Sequence, residues 1–77
     1  MFKFDYTICP ENSVKIFKEI CEKLEQIFPN LKKDDLLIDV DGSTIQMYKK
    51  EDKRIVVYDD YEVGAVYIKS DIKLEGI

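Results

Sequence analysis

The chain contains no histidine and no tryptophan. The first absence removes the commonest general base, the Ser-His and Cys-His nucleophile pairs and nearly every catalytic zinc arrangement. Cysteine is sparse, with only Cys9 and Cys21. The mostly helical chain between them would hold their Cα atoms beyond the 7 Å or so that a bridge spans, so both thiols are expected to be reduced. Nothing near Cys9 supplies the cationic setting of a reactive thiolate, and both residues read as small hydrophobes. With 3 glycines and 2 prolines the sequence offers no linker, and it shows no repeat or low-complexity segment. No apolar run approaches the roughly 20 residues of a transmembrane helix. Asp5 interrupts the stretch where a signal peptide would need continuous apolar residues. A cytoplasmic location without membrane attachment is therefore expected.

What is present fits one small α+β domain over residues 1–77. A chain this short buries only about 60% of its unfolded surface, and its 45% hydrophobic and 36% charged residues suit a globular protein. Phe2, Phe4, Tyr6 and Ile8 alternate with Lys3, Asp5 and Thr7, the pattern of a half-buried strand. Pro10 stops that strand and suits a first helical position, with Glu11 well placed beside it and Asn12 or Ser13 as rival caps. From Val14 to Phe28 the period is helical. Val14, Ile16, Phe17, Ile20, Cys21, Leu24, Ile27 and Phe28 share an arc of about 160°, and lysines and glutamates at i, i+4 spacing fill the rest. Pro29 ends the helix, and Lys32 and Lys33 follow where positive charge suits a helix C-terminus.

The remainder reads as an antiparallel meander organised by Asp41-Gly42, the strongest short-range hairpin signal in the chain. A two-residue type I′ turn there would pair Val40 with Ser43, Ile38 with Ile45 and Leu36 with Met47 on a dry face. Leu37, Asp39, Thr44, Gln46 and Tyr48 would then lie on a wetter one. Further strands are expected over Arg54 to Tyr58 and Val63 to Lys69, with a turn at Asp59 to Glu62 and a weak point or bulge at Gly64. A loop of two or four residues between Lys49 and Arg54 would pair Tyr48 with Ile55; three or five would shift the faces. Ser70 to Ile77 adds a short edge segment through Ile72 and Leu74. The expected architecture is β-α-β-β-β-β, one amphipathic helix on one face of a mainly antiparallel sheet of about five strands. The first strand lies either parallel beside the second or antiparallel beside the fifth.

Turns of a meander alternate between the two ends of the sheet, which sorts the charges. Asp39, Asp41, Asp59, Asp60 and Glu62 share one end, and Lys49, Lys50, Lys53, Arg54 and Lys69 the other. Three readings compete for the acidic end. Aspartates belong in turns for conformational reasons alone. Clustered carboxylates suit a hard metal or other ligand, but a calcium loop starting at Asp39 has its glycine too early and Lys50 where a glutamate is wanted. The third reading is a docking edge in which Asp39, Asp41, Asp59, Asp60 and Glu62 surround Tyr61 and meet a basic protein surface. One instance is an inhibitor or immunity protein that blocks the basic cleft of a nuclease-type toxin. Catalysis, left to carboxylates, Cys9 or tyrosines on a small sheet, is not expected, nor is any cofactor or metal. A net charge of −4 opposes nucleic-acid binding despite Lys49, Lys50, Lys53 and Arg54. The wetter sheet face, with Leu37, Tyr48, Ile55 and Val57, is expected to exceed what one helix covers, offering a second interface for a homodimer.

Overall fold

The structure, a computed structural model, describes residues 2–76; Met1 and Ile77, the ends of the expected domain, lie outside the described residues. Strand β1 (Phe4–Cys9) leads into helix α1 (Val14–Ile27). Ser13 caps the helix by accepting from the Ile16 amide at 3.1 Å, so Pro10 and Glu11 stand in the bend before it rather than inside it. Phe28 closes it by donating its amide to the Leu24 carbonyl, one residue before Pro29. Five further strands follow: β2 (Lys32–Lys33), β3 (Leu37–Ile38), β4 (Thr44–Lys50), β5 (Lys53–Asp60) and β6 (Ala65–Ser70). They form one six-stranded antiparallel sheet in the order β1-β6-β5-β4-β2, with β3 also on β4. The α+β class holds, and β1 takes the antiparallel place beside the last strand.

Lys32 and Lys33 are not a helix tail but an extra edge strand. The two short strands β2 and β3 share the outer side of β4. Between them Asp34–Leu36 oppose only Gln46 and Met47, a bulge that breaks what would otherwise be one long exposed edge.

The first hairpin differs from the expected register by one residue. Leu37 faces Ile45 and Ile38 faces Thr44, where a type I′ turn would place Ile38 opposite Ile45. The loop has three residues, Val40-Asp41-Gly42, closed by the Asp39 amide on the Ser43 carbonyl and the Gly42 amide on the Asp39 carbonyl. Gly42 alone takes the left-handed position (φ 90°), whereas Asp41 does not, and a type I′ turn needs both. Asp41 instead accepts the Ser43 amide on its own carboxylate at 2.9 Å, a local bond that favours this looser turn. The two-residue turn of the molecule is Glu51-Asp52, since Lys50 pairs with Lys53 and Tyr48 with Ile55.

That register decides what lies under the helix. Phe17, Ile20, Cys21 and Leu24 pack on Tyr48, Ile55, Val57 and Ile68, with Leu74 closing one side. Val14 and Ile27, at the borders of the apolar arc, stay exposed. The expected dry face of β4, Ile45 and Met47, is the half-buried one away from the helix. Tyr48 and Gln46 can go under because their polar atoms find partners. The Tyr48 hydroxyl donates to Glu25 Oε2 at 2.7 Å, and Gln46 Nε2 donates to the Asp34 carbonyl at 2.7 Å. Among the described residues the tail after Ser70 forms no strand; the Leu74 amide donates to the Tyr6 hydroxyl at 2.9 Å and seats Leu74 in the core.

Candidate functional site

The two turns expected at one end are bound to each other. The Tyr61 amide donates to Ser43 Oγ at 2.8 Å, and the Tyr61 ring lies over Gly42 so closely that a Cβ there would stand 3.1 Å from Cε2. Gly42 thus serves twice, giving the left-handed backbone and making room for the ring. The Tyr61 turn is closed by the Gly64 amide on the Asp60 carbonyl at 2.7 Å. Gly64 is there for its φ of 76°, since a Cβ would meet nothing.

The carboxylates expected to act together are divided by strand alternation. Asp59 belongs to β5, not to a turn, and points beneath the helix at 1% exposure. Asn12 Nδ2 donates to its Oδ1 at 2.9 Å and to the Asp60 carbonyl at 2.9 Å, so Asp59 ties the start of the helix to the sheet and is withdrawn from any docking role. Asp60, next in the strand, lies on the opposite face. Its Oδ1 accepts the Glu62 amide at 2.9 Å and the Val63 amide at 3.2 Å, and its Oδ2 accepts the Tyr67 hydroxyl at 2.7 Å. The Tyr67 bond above all, with the two amides, holds the Asp60 carboxyl below its usual range against a smaller upward push from burial. Asp39, Asp41 and Glu62 remain exposed, each at the lip of a turn, with Tyr61 at 48% exposure between them.

The expected second interface is largely overturned. Tyr48, Ile55 and Val57 are fully buried against the helix, because Tyr48 pairs with Ile55 and thereby shares the covered face. Leu37 alone of that set is exposed.

Sequence reasoning missed the apolar part of the acidic end. Among the described residues, the exposed large hydrophobics other than Val14 and Ile27 are Leu36, Leu37, Ile38, Val40, Tyr61 and Val63, all on the β3 edge and the two joined turns. The signal was present in the consecutive run Leu36-Leu37-Ile38. A strand alternates its sides, so no single apolar face could have taken all three.

A cleft of about 530 Å³ runs between the helix and the β4 edge over Phe17, Cys21, Gln46 and Leu36, with Glu25, paired to Lys33 at 3.4 Å, on its rim. Burial pushes the Cys21 thiol up, against a hydrogen-bonding pull from Tyr48, which disfavours a thiolate. Both cysteines are free. Among the described residues no three carboxylate or thiol side chains gather as a metal-binding group, and no helix is long and apolar enough to cross a membrane. Comparison with protein-family models, with curated proteins and with solved structures found no match.

Proposed function

We propose that this protein is a protein-binding module whose docking surface is the end formed by the Leu36–Gly42 arm and the Tyr61–Val63 turn. One observation carries the reading: exposed Ile38, Val40, Tyr61 and Val63 are interleaved there with Asp39, Asp41 and Glu62, on turns joined by the Tyr61–Ser43 bond. A turn former needs no exposed valine beside it, and a hard-metal site would be spoiled by one. An apolar centre with a carboxylate rim suits a protein surface with a basic rim around an apolar patch. A basic enzyme cleft, such as that of a nuclease-type toxin, has this character, and the module would block it as an inhibitor or immunity protein. The joined turns support such a role by holding the surface in shape before contact, which lowers the ordering cost of binding. Binding rather than catalysis is also the reading for the rest of the molecule, where the cleft between the helix and the β4 edge lies over the buried Cys21 thiol.

The test compares retention of a basic partner by the parent chain, by an apolar variant (Val40→Ser with Val63→Ser) and by a charge variant (Asp39→Lys with Glu62→Lys). All substituted residues are exposed, so the fold should persist by circular dichroism. The apolar variant should dissociate at least tenfold faster, and the charge variant should associate more slowly and lose most of its salt dependence. Reversing Lys15, Lys18 and Lys23 on the helix should change neither. Equal kinetics for the parent and both end variants would overturn the proposal.

A further inference from the structure

The Leu36–Gly42 arm is open in its backbone as well as in its side chains. Bonded and non-bonded positions alternate along an antiparallel pair. The Asp39 amide on the Ser43 carbonyl makes Asp39 a bonded position, and Leu37, opposite Ile45, is the next one. The amide and carbonyl of Ile38 between them therefore point away from β4. β3 pairs with β4 alone, and no strand among the described residues lies on its outer side. The bulge at Asp34–Leu36 interrupts the β2 half of this edge, and the Val40 amide is taken by the Asp39 carboxylate at 2.7 Å. Neither device shields Ile38, which leaves a short template for strand pairing.

The side chains decide what shape fits it. Leu37 is 53% exposed and Ile38 72%. As neighbours in a strand they stand on opposite faces of the sheet, Leu37 with Ile45 on the open side and Ile38 with Thr44 on the helix side. A helix or a flat surface laid on one face would cover one of them and leave the other wet. A strand added in the plane of the sheet flanks both, as cross-strand neighbours do. Leu36 lines the cleft beside the helix, so helix-side residues of an added strand would reach the mouth of that cleft.

We propose that the partner of the docking end binds by strand addition: an extended segment, apolar at its centre and flanked by lysine or arginine, pairs with β3 at Ile38 and lengthens the sheet. This rests on the docking reading above and names the form of the partner at that same site. The charge of the segment follows from the carboxylates around the edge. Asp34, Asp35, Asp39 and Asp41 lie along the arm and Glu22 across the cleft, against Lys18, while Lys33 is already paired to Glu25. The same carboxylates exclude a second copy of this chain. Antiparallel self-pairing centred on Ile38 sets Asp35 opposite the second copy's Asp41, and moving the centre by one residue sets Asp39 against Asp39 or Asp35 against Asp39. Like charges directly opposite one another destabilise a pair of strands, so the edge refuses itself and accepts a basic segment.

The probe is the blocked peptide Lys-Lys-Val-Ile-Val-Lys-Lys, titrated into isotope-labelled protein and followed by the backbone amide resonances. The Ile38 amide should shift and gain protection from hydrogen exchange. The same peptide N-methylated through its Val-Ile-Val core should bind at least tenfold more weakly, the order expected for the loss of backbone hydrogen bonds with side chains unchanged. On the protein side, Ile38→Pro removes an amide that makes no bond in the free chain, a place where an edge strand tolerates proline. It should weaken binding at least tenfold, whereas Ile38→Val, which keeps the amide, should change it less than threefold. Melting of both variants checks the fold, and the N-methylated peptide decides the matter if the proline variant does not fold. Equal binding of the plain and N-methylated peptides would overturn the proposal, as would an Ile38 amide left unshifted at about 1 mM peptide. An Ile38 amide that shifts with protein concentration alone would put a second copy on this edge and overturn it too. Failure here is distinct from failure of the docking reading. If the Val40, Val63 and the Asp39, Glu62 variants still weaken retention of a basic protein, the docking end stands and only strand addition falls.

Discussion

The two faces of the sheet both carry apolar side chains on the central strands and differ at the β1 edge, where Tyr6 and Ile8 face the helix and Asp5, Thr7 and Lys69 lie on the open side. Under the helix lie Tyr48, Ile55, Val57 and Ile68; on the open side lie Ile45, Met47, Val56, Tyr58 and Tyr67. The difference is polar. On the covered side every buried polar group is satisfied locally: Tyr48 by Glu25, Gln46 by the Asp34 carbonyl, Asp59 by Asn12, and Ser70 by the Ile72 backbone. On the open side Lys49 and Arg54 stay exposed at one end, whereas Asp60 at the other is bonded to the Tyr67 hydroxyl and to the Glu62 and Val63 amides. A face is completed by the chain itself where each polar atom it buries finds a partner within the chain.

The comparison is broken most directly by truncation. Ile55→Ala should cost about 2 to 5 kcal/mol, the range for opening a cavity in a packed core, while Ile45→Ala on the half-buried side should cost under about 1.5 kcal/mol in the monomer. Denaturant titration of both variants at low protein concentration measures this; equal losses would mean that the two faces are equally enclosed.

A second test attacks the register that assigns the faces. Gly42→Val forces a β-branched side chain into a left-handed backbone and against the Tyr61 ring, and should cost about 1 to 3 kcal/mol. Gly64→Ala, at a similar φ but with open space around it, should cost less. A melting temperature unchanged by Gly42→Val would remove the basis for the hairpin described here.

The smallest effect is a pH dependence that samples one tyrosine on each face. Burial, then the hydrogen bond to Glu25, pushes the Tyr48 hydroxyl well above its ordinary value, and burial with the Asp60 bond does the same to Tyr67. In the unfolded chain both titrate near 10.0, so the unfolded state releases protons first as the pH rises. Their contribution to stability is fully present below about pH 10 and is lost as the pH climbs toward the raised folded values. Stability measured from pH 8 to 11 should fall along this limb. Tyr48→Phe should flatten it more than Tyr67→Phe, because Tyr48 is the more deeply enclosed.

Periodicity and turn chemistry made much of this molecule legible. The helix from Val14, the Phe17-Ile20-Cys21-Leu24 stripe and the hairpins of the meander rest on interactions within a few residues, which a sequence displays directly, whereas the choice of Ser13 over Asn12 as cap and the place of β1 beside β6 were left open by it. The gathering of Asp39, Asp41 and the Tyr61 turn at one end was also legible, since a meander must alternate its ends. Three matters were decided only by tertiary structure. The Asp41-Gly42 turn is one residue longer than expected and is held by the distant Tyr61 turn, whose amide bonds Ser43 and whose ring lies over Gly42, and the slip puts Leu37 rather than Ile38 beside Ile45. Asp59 and Asp60 went to opposite sides because β5 runs to Asp60 and a strand alternates, although side by side in the sequence they look alike. Tyr48 entered the core because Glu25, more than twenty positions away, stands where its hydroxyl arrives. Local propensity is encoded residue by residue, but whether a polar atom carried under the helix finds a partner depends on residues far along the chain, and only the folded chain brings those together.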